Sequence, residues 1–215
     1  KQFLIMQNTE LLQNYEKRKE EIKSRLNDFS RIMQKSDEEV YEELVFCLLT
    51  PQSKARICDK AVRKLKEKSL LFSGNESEVK AWLAGVRFPN EKAKHVVAAR
   101  SIFVNGDGVS IKDKLHGNSK ELREWLVKNV KGLGYKEASH FLRNVGLGFD
   151  LAILDRHILK NLVRYGVIDE VPKSLTPKKY LEIEEKMSRF AESVGIPMAE
   201  LDLLFWSMEA GEVFK

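Results

Sequence analysis

Two residues in the carboxyl-terminal half of the chain have the types and spacing of a nucleophile and its partner, and Lys136 is the first of them. It follows Gly132 and Gly134, at the start of a predicted helix. Backbone N–H groups at such a start carry about half a positive charge and suit a phosphate. A cation is disfavoured there, so a lysine in this place either holds a phosphate or favours its neutral, nucleophilic form.

Asp155 is the second residue, with one predicted helix and a linker between it and Lys136. That is enough chain for the two side chains to meet. A neutral amine can attack a sugar C1′ carbon and form a Schiff base. A nearby carboxylate can stabilise positive charge that develops on the sugar, or help to move protons. Taken alone, Asp155 is more typical of a helix N-cap; its pairing with Lys136 favours the chemical interpretation.

The elements that would position these residues are almost all helices. Apolar side chains recur at helical spacing over residues 9–34, and Ser36 with Glu39 forms a capping box for a helix to about residue 49. Other helices are predicted up to residue 65 and over residues 75–83, 91–103, 121–130, 135–145, 156–165, 177–194 and 197–208. Residues 105–108 form a predicted turn, and strand patterns are nearly absent. The sequence therefore predicts an all-α fold of ten or more short helices.

The composition limits the classes of protein to which the chain can belong. Its 215 residues, 43% of them hydrophobic, suffice for one large domain or two small ones, and a net charge of +5 permits a polyanionic partner. The two cysteines, Cys47 and Cys58, are predicted to be buried free thiols, because four would be needed for an iron–sulfur cluster. With no metal-ligand cluster, membrane-spanning stretch or signal peptide visible, we expect a cytoplasmic protein without a metal or cofactor.

The glycine hairpin and the segment after it resemble a known family. They read Gly-Leu-Gly-Tyr-Lys136-Glu-Ala-Ser-His-Phe-Leu-Arg-Asn-Val-Gly and, further on, Ile-Leu-Asp155-Arg-His157-Ile-Leu. This pattern is similar to that of the helix-hairpin-helix DNA glycosylases, and in particular the second, archaeal and bacterial, type of 8-oxoguanine DNA glycosylase/lyase. In the common pattern a Pro-Val or similar pair precedes the aspartate, where this chain has Ile153-Leu154. Segments 48–55, 85–93 and 200–215 also match, so the resemblance covers most of the chain beyond residue 36.

The resemblance implies two helical subdomains that flank a DNA-binding cleft. We assign residues 40–147, which end in the helix-hairpin-helix motif, to one subdomain, and residues 1–39 with 148–215 to the other. The family flips 8-oxoguanine out of double-stranded DNA and into the cleft. Lys136 would attack C1′, displace the base and nick the abasic strand by β-elimination, while Asp155 assists. The expected partner is therefore duplex DNA containing 8-oxoguanine, bound by a monomer that acts on the nucleoid, with no membrane involved.

The resemblance also implies which side chains recognise the flipped base. Phe88 and Trp206 match positions that stack on it, and the last residue, Lys215, matches a lysine that contributes to its recognition. The sequence alone also allows simpler roles. Trp206 lies among apolar residues typical of a core, Phe88 could pack within a loop, and Lys215 could be a frayed tail.

Four further residues would hold the DNA itself. Gln52 matches the position that fills the gap left by the flipped base. Amides near Gly132 and Gly134 would grip one phosphate, and His157 could contact another. The simpler interpretations are a helix start for Gln52, a tight helix–helix turn for the glycines and an exposed or capping histidine for His157.

Two other functions remain open from the sequence. A glycosylase of the same fold could act on oxidised pyrimidines or mismatched adenine, although relatives of that kind usually carry a four-cysteine iron–sulfur loop that this chain lacks. A non-catalytic hairpin module could instead bind DNA for a larger repair or replication machine. Asp155, placed to meet Lys136, argues against that module.

Overall fold

Helices account for nearly all regular structure in the computed structural model, which describes residues 2–106 and 108–215, with side chains from residue 8 onward. In the described chain the helices are α1 Gln2–Ser30, α2 Asp37–Leu49, α3 Ala55–Glu67, α4 Glu76–Ala81, α5 Pro89–Phe103, α6 Ser119–Asn129, α7 Tyr135–Asn144, α8 Arg156–Arg164, α9 Pro177–Val194 and α10 Met198–Ala210. The predicted all-α fold is confirmed. Helical turns at Ile32–Gln34 and Lys112–Lys114 are of the 3₁₀ type.

A short strand pair replaces the turn predicted over residues 105–108. Strands β1 Val104–Asn105 and β2 Gly108–Val109 are antiparallel, with Val104 opposite Val109 and Asn105 opposite Gly108. Of the two residues between the strands, Gly106 is in a turn, as predicted, and Asp107 lies outside the described residues. The glycine-rich sequence does reverse the chain there, but the residues on either side pair as strands.

Several helices begin at the capping residue that the sequence predicts. The Ser36 hydroxyl accepts a hydrogen bond from the Glu39 amide, and the Glu39 carboxylate accepts one from the Ser36 amide.

The start of α5 differs from the prediction, since this helix begins at Pro89 rather than at residue 91. Proline is favoured in the first turn because it has no N–H to satisfy there. Phe88 before it adopts a left-handed conformation, with φ of 55°.

Two clusters of buried apolar side chains lie within the fold. One takes its residues from positions 40–151 and the other from α1 and positions 152–213. Cys47 and Cys58 belong to the first cluster as buried free thiols, as predicted, and burial raises the pKa of Cys58 to about 11. Within the described chain, no helix is both long and apolar enough to cross a membrane.

The end of α7 packs tightly against α1, and Gly146 makes this contact possible. Its φ is +79°, and a Cβ atom there would lie 2.7 Å from Ser30 Cα and 3.1 Å from Phe29 O. These neighbours are backbone atoms, which cannot move aside as a flexible side chain would.

Alanine substitution tests this contact. Gly195 is a matched control, because its φ is +68° but a Cβ atom there would meet nothing within 4 Å. A left-handed alanine costs roughly 1–2 kcal/mol by itself. We therefore expect Gly195→Ala to lower the free energy of unfolding by about 1 kcal/mol and Gly146→Ala by about 3 kcal/mol, because only the latter adds a clash. Urea denaturation measures both, and equal losses would contradict the close approach.

Candidate active site

A cleft of about 850 Å³ lies between the elements that carry the two apolar clusters. One wall comes from residues 50–57, 85–87 and α7, and the other from residues 153–158, α10 and the chain end. Six of the nine site residues predicted from the sequence line it: Gln52, Lys136, Asp155, His157, Trp206 and Lys215. Phe88, Gly132 and Gly134 are not among its lining residues.

Lys136 stands in the first turn of α7, as predicted, and it has an acidic neighbour that the sequence analysis did not consider. Its Nζ lies 3.0 Å from Glu137 Oε1. The other carboxylate oxygen, Oε2, accepts a hydrogen bond from the Gly134 amide at 3.2 Å, which completes a capping box. Glu137 therefore caps the helix and also pairs with the lysine.

Asp155 is the N-cap of α8, as its sequence context predicts. Its Oδ1 accepts hydrogen bonds from the amides of His157 and Ile158, both at 2.8 Å. Among the described residues, Oδ2 has no hydrogen-bond donor. One oxygen thus fixes the side chain at the helix start, and the residue lines the same cleft as Lys136.

Three buried polar residues of the cleft wall were not predicted as site residues. Arg143 donates from Nη1 to Asp202 Oδ2 at 3.0 Å. Burial raises the pKa of Asp202 to about 7, aided by Asp155 and opposed by Arg143. Burial also lowers the pKa of His140 far below its ordinary value, so its imidazole is neutral. Asp202 Oδ1 and His140 Nε2 are buried without hydrogen-bond partners among the described residues, which leaves hydrogen-bonding capacity for a ligand.

Helical spacing contained a signal for these residues. His140 lies one turn after Lys136 on α7, and Arg143 lies a further turn along, so all three share a face. In the same way Asp202 lies one turn before Trp206 on α10. A search for polar residues that share a helical face with each predicted site residue would have found them.

Lys215 is fixed at one end of the cleft rather than frayed. Its Nζ donates to Glu43 Oε1 at 2.7 Å, lies 3.2 Å from Asp59 Oδ1 and stands 4.5 Å from the centre of the Phe46 ring. Burial opposes its charge, but the two carboxylates outweigh this and raise the pKa of Lys215 above its ordinary value. The chain end therefore presents a held ammonium to the cleft.

The loop that carries Gln52 is held by a buried lysine, Lys92 of α5. Its ammonium donates to the carbonyls of Leu49 and Pro51, both at 2.6 Å, and to Ser53 Oγ at 2.9 Å. Burial lowers the pKa of Lys92 to about 8. Gln52 itself adopts a left-handed conformation with φ of 54°, which is uncommon for a residue other than glycine.

A second loop is tied to the first and explains the position of Phe88. Ser53 Oγ accepts a hydrogen bond from the Arg87 amide at 2.9 Å. Arg87 lines the cleft, whereas Phe88 is 52% exposed, with its ring centre 5.4 Å from Arg87 Cζ. Phe88 thus projects from the loop beside the cleft and is absent from its wall.

The glycine hairpin offers fewer free amides than its sequence predicts. The Gly134 amide is occupied by Glu137, and the Leu133 amide donates to Val130 O at 3.2 Å. A phosphate at Gly134 would have to displace the Glu137 carboxylate. Gly132 is required for another reason, since its φ is +95° and a Cβ atom would lie 2.5 Å from His95 Nδ1. The hairpin thus forms a close helix–helix turn, packed against α5.

His157 and Trp206 stand together on the opposite wall. Their ring centres are 6.5 Å apart and their planes are nearly perpendicular, at 86°. Trp206 is only partly buried, unlike its neighbours Leu203 to Phe205. It is therefore part of the cleft wall as well as of α10, and it offers the cleft a flat apolar surface.

Comparisons of sequence and of structure with known proteins find similarity to one family. A family model described as 8-oxoguanine DNA glycosylase matches residues 22–196. An 8-oxoguanine DNA glycosylase/AP lyase of Fusobacterium nucleatum is 49% identical over 204 residues, 94% of each chain. The crystal structure of the 8-oxoguanine DNA glycosylase of Thermotoga maritima superposes with a TM-score of 0.87 at 33% identity, covering 99% of this chain and 100% of that one. The Methanocaldococcus jannaschii enzyme in complex with a 15mer DNA containing 8-oxoguanine gives 0.84 at 38% identity, covering 95% and 99%.

Removing the Lys92 ammonium tests whether it holds the loop of Gln52. Lys92→Met leaves the buried Leu49 carbonyl and the partly buried Pro51 carbonyl without this donor, so we expect a loss of about 3 kcal/mol in the free energy of unfolding. Lys94→Met is the matched control on the same helix, because Lys94 is exposed and, among the described residues, its one ion pair is with Glu91, at 2.8 Å. Its urea midpoint should stay unchanged. If both variants had the midpoint of the unaltered protein, Lys92 would not be the anchor.

Proposed function

The chain belongs to the 8-oxoguanine DNA glycosylase family, and we propose that it removes 8-oxoguanine from duplex DNA and then nicks the abasic strand, with Lys136 and Asp155 as its catalytic residues. The enzyme is thus a bifunctional DNA glycosylase and abasic-site lyase that acts in base-excision repair. The relative crystallised with DNA containing 8-oxoguanine supports DNA with this lesion as the partner. The observation that carries the proposal is that an amine and a carboxylate oxygen without a hydrogen-bond donor line one cleft.

The proposed reaction begins with the release of a proton from the Lys136 ammonium. The neutral amine attacks C1′ of the flipped nucleotide, and the bond between C1′ and the base nitrogen breaks. The base leaves with the electron pair and takes up a proton, which balances the one lost by the amine. Asp155 Oδ2 stabilises the positive charge that develops on the sugar while that bond weakens. Since Oδ1 is held by two amides, the carboxylate stays in place throughout.

The second step uses the bond formed in the first. The bond between C1′ and O4′ breaks, a proton passes from the Lys136 nitrogen to O4′, and the opened sugar is left as a protonated Schiff base between Lys136 and C1′. The positive nitrogen acidifies the C2′ hydrogen, its proton is removed, and the 3′ phosphate leaves by β-elimination. Hydrolysis of the Schiff base then regenerates Lys136. The Lys136 nitrogen thus serves as the electron sink for the elimination.

Around the base we propose a stacking surface and a charged contact. Trp206 offers a flat face in the cleft, and Phe88 would reach the base only when DNA draws the exposed loop inward, since it is not a lining residue of the cleft. The Lys215 ammonium, held by Glu43 and Asp59, would contact the edge of the base. Aromatic faces with a few fixed polar groups are what a flipped purine requires.

On the duplex we propose three contacts, made by four residues. Gln52, on its anchored loop, would enter the gap left by the flipped base. His157, at the start of α8, would contact a phosphate. The hairpin at Gly132 and Gly134 would contact another, and binding there would require Glu137 to give up the Gly134 amide. These contacts are proposals that follow from position and chemistry.

The two apolar clusters support a division into subdomains. We propose that residues 40–147 form one subdomain and residues 1–39 with 148–215 the other, so that the cleft lies between them. A protein that bends a duplex around this cleft would act as a monomer. We propose that it does so in the cytoplasm, where it meets the nucleoid.

Borohydride trapping on an 8-oxoguanine duplex tests the catalytic assignment. Lys136→Gln should form no covalent complex and release no base above background, because it lacks the amine. Asp155→Asn should slow base release by about 100-fold or more, since charge stabilisation is lost. Lys54 is the matched control, as another lysine of the cleft. Lys54→Gln should still trap at saturating enzyme, and full strand cleavage by Lys136→Gln would overturn the assignment.

Deleting Lys215 tests its proposed role in base recognition. We expect the ratio of affinities for 8-oxoguanine and guanine duplexes to fall by about tenfold, while binding to undamaged DNA changes little. Glu212→Gln is the control, because it alters an exposed tail residue that pairs with Arg56. Fluorescence anisotropy measures both affinities. Unchanged discrimination after the deletion would remove Lys215 from the site.

A further inference from the structure

A buried cluster of three polar residues lies outside the cleft and is not used by the proposed reaction. The Arg123–Glu184–Tyr180 cluster joins α6, which carries Arg123, to α9, which carries the other two. Arg123 Nη1 and Nη2 donate to the two carboxylate oxygens of Glu184 at 2.6 and 2.8 Å. Both side chains are almost completely buried. Burying an ion pair costs free energy that well-packed apolar residues would not incur, so its presence calls for a reason other than stability.

One side of the cluster holds the backbone that leads to Asp155. Glu184 Oε2 accepts a hydrogen bond from the Ala152 amide at 2.8 Å. The Tyr180 hydroxyl donates to Ala152 O at 2.6 Å and accepts from the Leu154 amide at 3.2 Å. Leu154 directly precedes Asp155, and the segment has no sheet partner to satisfy these groups. The cluster therefore supplies the hydrogen bonds that fix the approach to the catalytic carboxylate.

The other side of the cluster contacts the helix that carries Lys136. Arg123 Nη1 also donates to Ser139 Oγ at 3.2 Å, and Ser139 is fully buried on α7, three residues after Lys136. None of the three cluster residues lines the cleft. The same guanidinium that binds Glu184 is thus bonded to the helix of the nucleophile, while Glu184 is bonded to the segment before Asp155.

We propose that the Arg123–Glu184–Tyr180 cluster positions the two catalytic residues relative to one another, by joining the helix of Lys136 to the segment that ends in Asp155. The inference rests on the proposed function, since it assumes that those two residues do the chemistry. Arg123, Glu184 and Tyr180 are positioning residues that do not touch the substrate. A misplacement of about 1 Å can cost roughly 100-fold in rate, so this distant cluster controls catalysis.

Tyr180→Phe is the sharpest test because it removes one hydroxyl and keeps the ring. Tyr165→Phe is its matched control. Tyr165 is also a buried tyrosine, but its hydroxyl has no hydrogen-bond partner among the described residues. Both variants keep the aromatic packing, so both should fold. Only Tyr180→Phe removes the hydrogen bonds to the Ala152 carbonyl and from the Leu154 amide.

Single-turnover rates on two substrates, a duplex with 8-oxoguanine and a duplex with a preformed abasic site, distinguish a positioning role from general damage to the enzyme. Asp155 is needed most while the base leaves, whereas a preformed abasic site has already lost its base. We expect Tyr180→Phe to slow 8-oxoguanine release by about ten- to a hundredfold, with the lesion-duplex Kd within about threefold, and to slow abasic-site cleavage much less. Tyr165→Phe should keep both rates within about twofold of the unaltered enzyme. The proposal would be overturned if Tyr180→Phe slowed both steps equally, or if it slowed neither step.

A double variant covers the case in which Tyr180→Phe does not fold. Arg123→Met with Glu184→Leu removes both charges together, which is often neutral for stability, and also removes the acceptor for the Ala152 amide. It should show the same selective loss of base release, and a variant with unaltered rates would contradict the proposal. If the unaltered enzyme itself failed to release 8-oxoguanine or to trap, the proposed function would fail before the positioning role was tested.

Discussion

Charge that is buried between two apolar clusters must be paired, and this constraint determines how the two halves of the molecule meet. Arg143 of α7 binds Asp202 of α10, and Arg123 of α6 binds Glu184 of α9. Each pair joins an element of the first cluster to an element of the second. Apolar burial is non-directional, whereas a buried ion pair that loses its geometry leaves an unpaired charge. The cleft therefore has walls at a fixed separation.

Two helix starts are the second feature on which the cleft depends, because the residues that cap these helices also lie at the cleft. Asp155 caps α8 with one oxygen and keeps the other for the cleft. Glu137 caps α7 and at the same time pairs with Lys136. In both cases the carboxylate that caps the helix also sets the position of a group that lines the cleft, either its own second oxygen or the Lys136 side chain.

The loops beside the cleft hold two residues other than glycine in the left-handed region. Gln52 and Phe88 both have positive φ, which costs free energy for side chains of their size. Lys92 offsets that cost by three hydrogen bonds to the first loop, and Ser53 carries the restraint to the Arg87 amide of the second. Strain held in this way is common at functional sites, and here it lies at the residues proposed to meet DNA.

Local sequence determined the helices, their caps and the two central residues. Capping residues, apolar spacing and the glycine hairpin are short-range signals, so the all-α fold, the N-cap at Asp155 and the place of Lys136 could be predicted from them. The tertiary structure alone decided that Phe88 lies beside the cleft and that Arg123 and Glu184 meet. These depend on which distant groups become buried together, because the free energy of a charge or an amide is set by its three-dimensional surroundings and not by its neighbours in the chain.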